Sequence, residues 1–382
     1  MNDRLSMPAP RHTPLHRYLA DPAPIVFDDP KTGSPRYFLY ATEDGFDDWG
    51  SRTFRVYTSK DLVDWTDGGQ ILSLDDVPWG DEHAWAPAIL KHGDKYYLYF
   101  VCEGQIGAAW ADSPYGPFES TGRPLVAKDD LPGYHIDPSV YTDEEGDDWL
   151  VWGNGICYSA PLGEDRLSVD LNAVWQWTPR GFREAMWYFK RGDTYYATWS
   201  ENDAREATYQ VHYATSDSLH GQWSEHGVLV EQNPAINVVG TGHHGILHIP
   251  GTDEWILAYH CFDPGYGNGY CRETRFAPLT FYDDGTIEQI GLPTTALDNR
   301  TGHRPIADRR MARMPPLMDD CSPVACGPCH THSGRFARTA HAARPAVATR
   351  MNGPGLESDQ ARMPAPSPCH PLLTSRRLME HG

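Results

Sequence analysis

The sequence predicts an all-β fold of radial design, a five-bladed β-propeller, and three observations carry that expectation. One short unit recurs five times at a spacing of roughly 45 to 60 residues, the range of repeat architectures. Each copy pairs two apolar, aromatic-rich runs across a turn rich in Gly, Pro or Asp, which is the mark of a β-hairpin. Long helical periodicity is absent from the chain.

Taken in order, the first unit runs from Asp21 to Phe27, turns through Asp28-Asp29 and a Pro/Gly loop, and returns as Tyr37-Phe38-Leu39-Tyr40. Thr53 to Ser59 then alternates apolar and polar, as a half-buried strand does. The second unit pairs Ala86-Pro87-Ala88-Ile89-Leu90 with Tyr96 to Phe100, and its third strand, Gly107 to Asp112, ends in the turn Ser113 to Phe118. The third spans Gly133 to Gly153: Asp137 stands at the mouth, an acidic turn covers Thr142 to Asp148, and Trp149-Leu150-Val151-Trp152 returns. Pro138 fixes its own φ and is expected to push Asp137 toward extended geometry. The fourth pairs Glu184 to Phe189 with Tyr195 to Trp199. The fifth pairs His243 to Leu247 with Trp255 to Tyr259, then runs from Arg272 to Tyr282 into the turn Asp283-Asp284-Gly285.

Composition divides the 382 residues near position 302. Before it, acids outnumber bases 46 to 21; after it, residues 303–382 hold 11 Arg, no Lys, 11 Pro and one aromatic, Phe336. A segment so poor in apolar surface cannot offset its ordering entropy. The expected organisation is therefore a loose lead-in over 1–18, a propeller over 19–298, and a disordered tail over 299–382. The soft ligands Cys321, Cys326, Cys329, His330 and His332 of that tail lack a second knuckle, so no zinc site is expected there.

A strongly acidic folded part argues against nucleic acid as partner, since phosphates demand clustered Lys and Arg. The N-terminus has no apolar core of signal-peptide length and no run approaches a membrane span, so a cytoplasmic setting and no membrane partner are expected. Cys102, Cys157, Cys261 and Cys271 show no framework spacing and read as free buried thiols.

If five hairpins radiate about an axis, equivalent positions of the innermost strands meet in a central channel. Those positions hold Asp21, Ala86, Asp137, Glu184 and the pair His243-His244. Three carboxylates in one cavity are costly, because each raises the pKa of the others. A stable fold has no need of them. Hydrolysis of a glycosidic bond does: a protonated carboxyl donates to the leaving oxygen while an ionised one activates water across the ring.

In six segments the chain resembles glycoside hydrolase family 43. They are ADPAPIVFDD at Ala20 to Asp29, AWAPAIL at Ala84 to Leu90, IDPSVYTDEEGDDWLVWGN at Ile136 to Asn154, REAMWYFKRGDTYYATWS at Arg183 to Ser200, GTGHHGILHIPGTDEWILAYH at Gly240 to His260, and CRETRFAPLTFYDDGTI at Cys271 to Ile287. The resemblance implies a five-bladed propeller and an inverting glycosidase acting on arabinose- and xylose-containing glycans. By position it implies Asp21 as general base, Glu184 as general acid, and Asp137 as the group that orients the acid and tunes its pKa. It further implies Arg272, with Arg275 as competitor, as an active-site arginine that contacts the sugar and an acidic partner.

His243 matches a channel histidine that in relatives holds a calcium ion directly or through water, with His244 as the alternative. No organic cofactor is implied. Of the aromatics near strand starts, Trp85, Trp110, Trp152 and Trp187, Trp85 is the expected sugar platform, because Ala86-Pro87 sets it beside the channel mouth. The expected activity is exo-acting removal of terminal pentose, α-L-arabinofuranose first and β-D-xylose second, from a small oligosaccharide or a fragment of arabinoxylan or arabinan. The base and acid carboxyls should stand roughly 6.5 to 9.5 Å apart. An endo-acting arabinanase and a non-catalytic glycan-binding propeller are the rival readings. Substrate identity is expected to lie in the loops Phe46 to Thr53, Leu74 to His83 and Pro264 to Tyr270.

Overall fold

In the computed structural model, which describes residues 13–290 apart from 16, 237 and 265–267, each predicted unit is one meandering antiparallel sheet. The first blade is β1 (Leu19–Asp29), β2 (Ser34–Glu43), β3 (Thr53–Ser59) and β4 (Trp65–Ser73). The second is β5 (Trp85–His92), β6 (Lys95–Cys102), β7 (Gln105–Ala111) and β8 (Glu119–Ser120). The third is β9 (Ser139–Thr142), β10 (Asp148–Trp152), β11 (Tyr158–Pro161) and β12 (Trp175–Gln176). The fourth is β13 (Glu184–Arg191), β14 (Thr194–Glu201), β15 (Gln210–Ser216) and β16 (Ser224–Val230). The fifth has three strands among the described residues, β17 (His244–His248), β18 (Trp255–Phe262) and β19 (Arg272–Leu279). Together they form a five-bladed propeller. The tail expectation lies outside the described residues.

A repeated glycine shapes every blade. The first hairpin turns contain Gly33, Gly93, Gly146, Gly192 and Gly251, all with φ between 58° and 87°. A Cβ at any of the five would meet no neighbour within 4 Å. The requirement is therefore the left-handed backbone, not space.

A second repeat, invisible in composition, sits where each inner strand begins. Register slips by one residue between Ala20 and Ala23, between Trp85 and Ala88, and between Glu184 and Trp187. In the third blade Gly153 N–H donates to Ile136 O, while Val151 pairs with Ser139, leaving the same excess at Asp137-Pro138. These are β-bulges, and they re-aim side chains. Asp21, Ala86, Asp137, Ala185 and His243 accordingly take φ of 51°, 45°, 56°, 57° and 23°. Two expectations change here. Asp137 is left-handed, not extended, because the bulge outweighs the proline's preference. Glu184 stands one position before the site equivalent to Asp21 and Asp137, which Ala185 occupies.

Aromatic and aliphatic side chains fill the seams between blades. Phe27, Phe38, Tyr40 and Phe54 meet Tyr96, Leu98 and Phe100 between blades one and two, and Phe189, Tyr196 and Tyr213 meet Leu257 and Tyr259 between four and five. Hydroxyls tie the same seams: Thr42 Oγ1 accepts from Ala86 N–H, Ser139 Oγ donates to Met186 O, Ser200 Oγ accepts from His243 N–H, and Thr274 Oγ1 donates to Leu19 O. The described part of the lead-in is not loose. Thr13 Oγ1 donates to Thr274 O at 2.8 Å, and Leu15 and Tyr18 are buried. Packing against the last strand is what orders it.

The candidate active site

The inner-strand bulges of blades one, three and four, with β17 and β19 of blade five, bring Asp21, Asp137, Glu184, His243 and Arg272 onto one cavity of about 240 Å3. Trp85 lines it too, with Trp49, Tyr134, Ile136 and Asn154. That volume falls below the roughly 300–1,000 Å3 of pockets for drug-sized ligands and suits one small sugar.

Asp21 is held among cations. Arg272 Nη1 lies 3.4 Å and His243 Nδ1 3.2 Å from its Oδ1, and Thr42 Oγ1 donates to Oδ2 at 2.7 Å. Burial opposes ionisation of this carboxyl, but His243 and Arg272 more than offset it and hold its pKa far below the usual carboxylate range. Arg272 is itself clamped: Nε and the backbone N–H both donate to Asp44 Oδ2 at 2.9 Å. Burial pushes Asp44 up to about 6 against the pull of Arg272. His260 is driven by burial, and then by Arg272, down to about 3. As a neutral ring its Nδ1 accepts the Asp21 N–H at 3.2 Å, so it positions the aspartate without adding charge.

Glu184 is held by neutral donors. Tyr209 OH donates to Oε1 at 2.8 Å and Asn154 Nδ2 to Oε2 at 2.6 Å. Burial, then the charge of Asp137, raises Glu184 to about 7, while Tyr209 and the Arg183 guanidinium, 3.7 Å away, restrain the rise. The same functional group, a carboxyl, thus sits in one cavity in two opposite electrostatic settings.

His243 joins the two halves. Its Nδ1 lies 3.2 Å from Asp21 and 3.3 Å from Asp137. Burial favours the neutral ring, but both aspartates overcome it and raise the imidazole to about 9. At neutral pH the proton stays on, so this nitrogen presents no lone pair to a cation.

The sequence-expected calcium has a better fit at His244. Its Nε2 meets Thr198 Oγ1 at 2.6 Å, and its buried Nδ1 has no hydrogen-bond partner among the described residues. His244 also borders a void of about 10 Å3 on the axis below Asp21 and Asp137, the scale of one water or small ion. No cage of three or more His, Cys, Asp or Glu occurs among the described residues. The donor set therefore fits an ion carried by one imidazole and water, not a caged one.

The remaining expected residues separate cleanly. Arg275, the competitor of Arg272, is bound to Glu273 instead of the cavity. Trp152 is fully buried core, Trp110 sits under Lys95, and Trp187 faces the apolar far end of the channel. The four cysteines Cys102, Cys157, Cys261 and Cys271 are free and buried.

Trp49, in the first expected specificity loop, lines the cavity, and its Nε1 donates to Gly269 O in the third. The Leu74 to His83 loop contributes only indirectly, through His83 packed on Trp85 at 4.5 Å. Asn154, Tyr209, Asp44, His260 and the turn Asp203-Ala204-Arg205 were not singled out from sequence. Asn154 and His260 carried a usable signal there, since they end the resembling third and fifth segments.

The Glycosyl hydrolases family 43 profile matches residues 20–287. A xylosidase/arabinosidase of Bacteroides ovatus is 30% identical over 72% of this chain and 95% of its own. A β-D-galactofuranosidase of Aspergillus niger is 28% identical over 74% of this chain and 86% of its own. Among solved structures, a β-xylosidase/α-arabinofuranosidase from a compost microbial metagenome, in complex with xylotriose and in calcium-free form, superposes with a TM-score of 0.62 at 27% identity, covering 74% of this chain and 98% of that one.

Proposed function

The chain belongs to the glycosyl hydrolases of family 43, and from that premise we propose an inverting, exo-acting glycosidase that releases terminal pentose from short arabinose- or xylose-containing oligosaccharides. One observation carries the reading: two buried carboxyls share a sugar-sized cavity, Asp21 kept ionised by Arg272 and His243, Glu184 kept protonated by burial and Asp137.

In the proposed displacement Asp21 takes a proton from water, whose oxygen bonds to the anomeric carbon. Glu184 gives its proton to the glycosidic oxygen as the old bond breaks on the opposite face. Asp137 raises the pKa of the acid by its charge and is held in place through His243. Arg272 would bind the sugar and, with Asp44, fix the base. Trp85 would face the sugar ring. Where calcium is bound, His244 is the residue to hold it; the ion would add positive charge below the aspartates.

Names of similar proteins support pentosides, α-L-arabinofuranosides and β-D-xylosides, as substrates, and the single-sugar volume supports exo action. The test is a panel of aryl pentosides and pento-oligosaccharides, with the first-formed anomer read by NMR. Monosaccharide of inverted configuration is expected. Release of oligomers, or a retained anomer, would sink this reading.

A further inference from the structure

The cavity wall that sequence did not single out carries two arginines. Arg183, just before β13, and Arg205, in the turn after β14, both line the cavity and both bind Asp203. Arg205 Nε and Nη2 reach its two oxygens at 2.7 Å, and Arg183 Nη2 reaches Oδ2 at 3.0 Å. The pull of Arg205, against burial, holds Asp203 near 2, so the trio carries one net positive charge at any working pH. Side-chain exposure is 60% for Arg205, which puts it at the rim, and 40% for Arg183, which reaches from the rim to within 3.7 Å of Glu184. Neither Nη1 has a hydrogen-bond partner among the described residues, so each guanidinium keeps a free donor edge.

The rim is braced. A Cβ on Gly269 would stand 2.9 Å from Ala204 O and 3.2 Å from Arg205 Cα, so the turn packs directly on the backbone of the 268–270 loop. Trp49 donates to that same glycine's carbonyl. Tyr134, 43% exposed and leaning its ring on Gly104, lines the same cavity. An exposed ring and two guanidinium groups lining one cavity suit a sugar that bears an anion.

We propose that Arg183 and Arg205 form an acceptor-side subsite that selects oligosaccharides carrying a hexuronic acid next to the pentose to be released. Net charge is -20 over the chain, so an anionic glycan is repelled by most of the surface and favoured at this rim. Guanidinium forks match a carboxylate bidentately, and a subsite beyond the cleaved bond would add discrimination without touching the reacting carbon. The proposal rests on the pentosidase reading above, so its experiment carries a neutral aryl pentoside in parallel.

The measurement is kcat/KM for a matched pair of xylo-oligosaccharides, one neutral and one with a uronic acid on the residue adjoining the terminal pentose. In the wild-type protein the acidic member should be favoured roughly tenfold, the scale of one charge-assisted hydrogen bond. The preference should shrink between about 20 mM and about 500 mM salt, as expected of exposed charges. Arg205→Met should bring the ratio close to one, and Arg205→Lys should restore part of it. Free hexuronic acid at the same concentration should not inhibit, since it lacks the attached sugar. A ratio of one in the wild-type protein with the aryl pentoside still cleaved would overturn the rim subsite alone. An unchanged ratio in Arg205→Met, or inhibition by the free acid equal to the gain, would do the same. Failure to cleave the aryl pentoside would remove the pentosidase reading and the subsite together.

Discussion

Asp21 and Glu184 are 6% and 7% exposed and open on the same cavity, yet their surroundings differ in kind. The side formed by blades five and one supplies Arg272 and a protonated His243; the side formed by blades three and four supplies a phenol, an amide, a competing carboxylate and, 3.7 Å away, an Arg183 guanidinium already paired with Asp203. Burial alone would make both carboxyls weak acids. The difference teaches that placement of cations, not depth, divides base from acid here. Removing either carboxyl is the harshest way to break the comparison. Asp21→Asn should cost about 10⁴-fold in kcat on every substrate, because no leaving group replaces the base. Glu184→Gln should cost about 10³-fold on alkyl glycosides but less than about tenfold on aryl glycosides with good leaving groups. Equal losses for both variants on both substrate classes would erase the distinction.

The same contrast can be read in stability. Glu184 titrates near 7 in the folded protein against an ordinary 4.5. Between those values an unfolded chain releases the proton while the folded one keeps it, so stability falls as pH rises through that window. The loss is on the order of 3 kcal/mol, complete above about pH 7. Asp44, pushed up to about 6, titrates in the same window, so the single protein cannot isolate Glu184. The difference in chemical denaturation between Glu184→Gln and wild type can. It should open from about pH 4.5, favour the variant, and level off above 7. A difference that stays flat with pH would mean Glu184 is ionised throughout.

How much of this was legible in the sequence follows from what repeats. Five apolar hairpins, each with its turn glycine, state the fold because period-2 patterning and turn chemistry are local properties. Asp21, Asp137 and Glu184 stood out because acids at strand starts are unneeded by a core. Asp44, His260 and Tyr209 did not, since each acts through a contact far along the chain: Arg272 lies 228 residues from Asp44, and Glu184 lies 25 from Tyr209. The bulges were equally silent. No residue preference announced that Asp137 would turn left-handed, or that Glu184 would precede its expected register, because the bulge is a property of pairing between strands.

Activity against pH gives a gentler test. With Glu184 near 7 and Asp21 ionised across the working range, kcat/KM should fall tenfold per unit above about pH 7, and any limb near 6 would belong to Asp44 acting through Arg272. No acid limb should come from the base until pH is far below the ordinary carboxylate range.

The smallest and most discriminating change is to the neutral donors themselves. Tyr209 OH stabilises the ionised form of Glu184, so Tyr209→Phe should raise its pKa and move the alkaline limb upward by about half to one pH unit. Thr42→Val removes the corresponding donor from Asp21, but Arg272 and His243 remain within 3.4 Å. Its pH profile should keep its shape, with a cost confined to rate and to about 1 kcal/mol of stability from the lost Ala86 contact. The two variants together weigh a hydroxyl against a guanidinium in the same cavity. If Thr42→Val shifted the profile as far as Tyr209→Phe, the cations beside Asp21 would not be what keeps it ionised, and the division of labour between the two sides would have to rest on something other than charge.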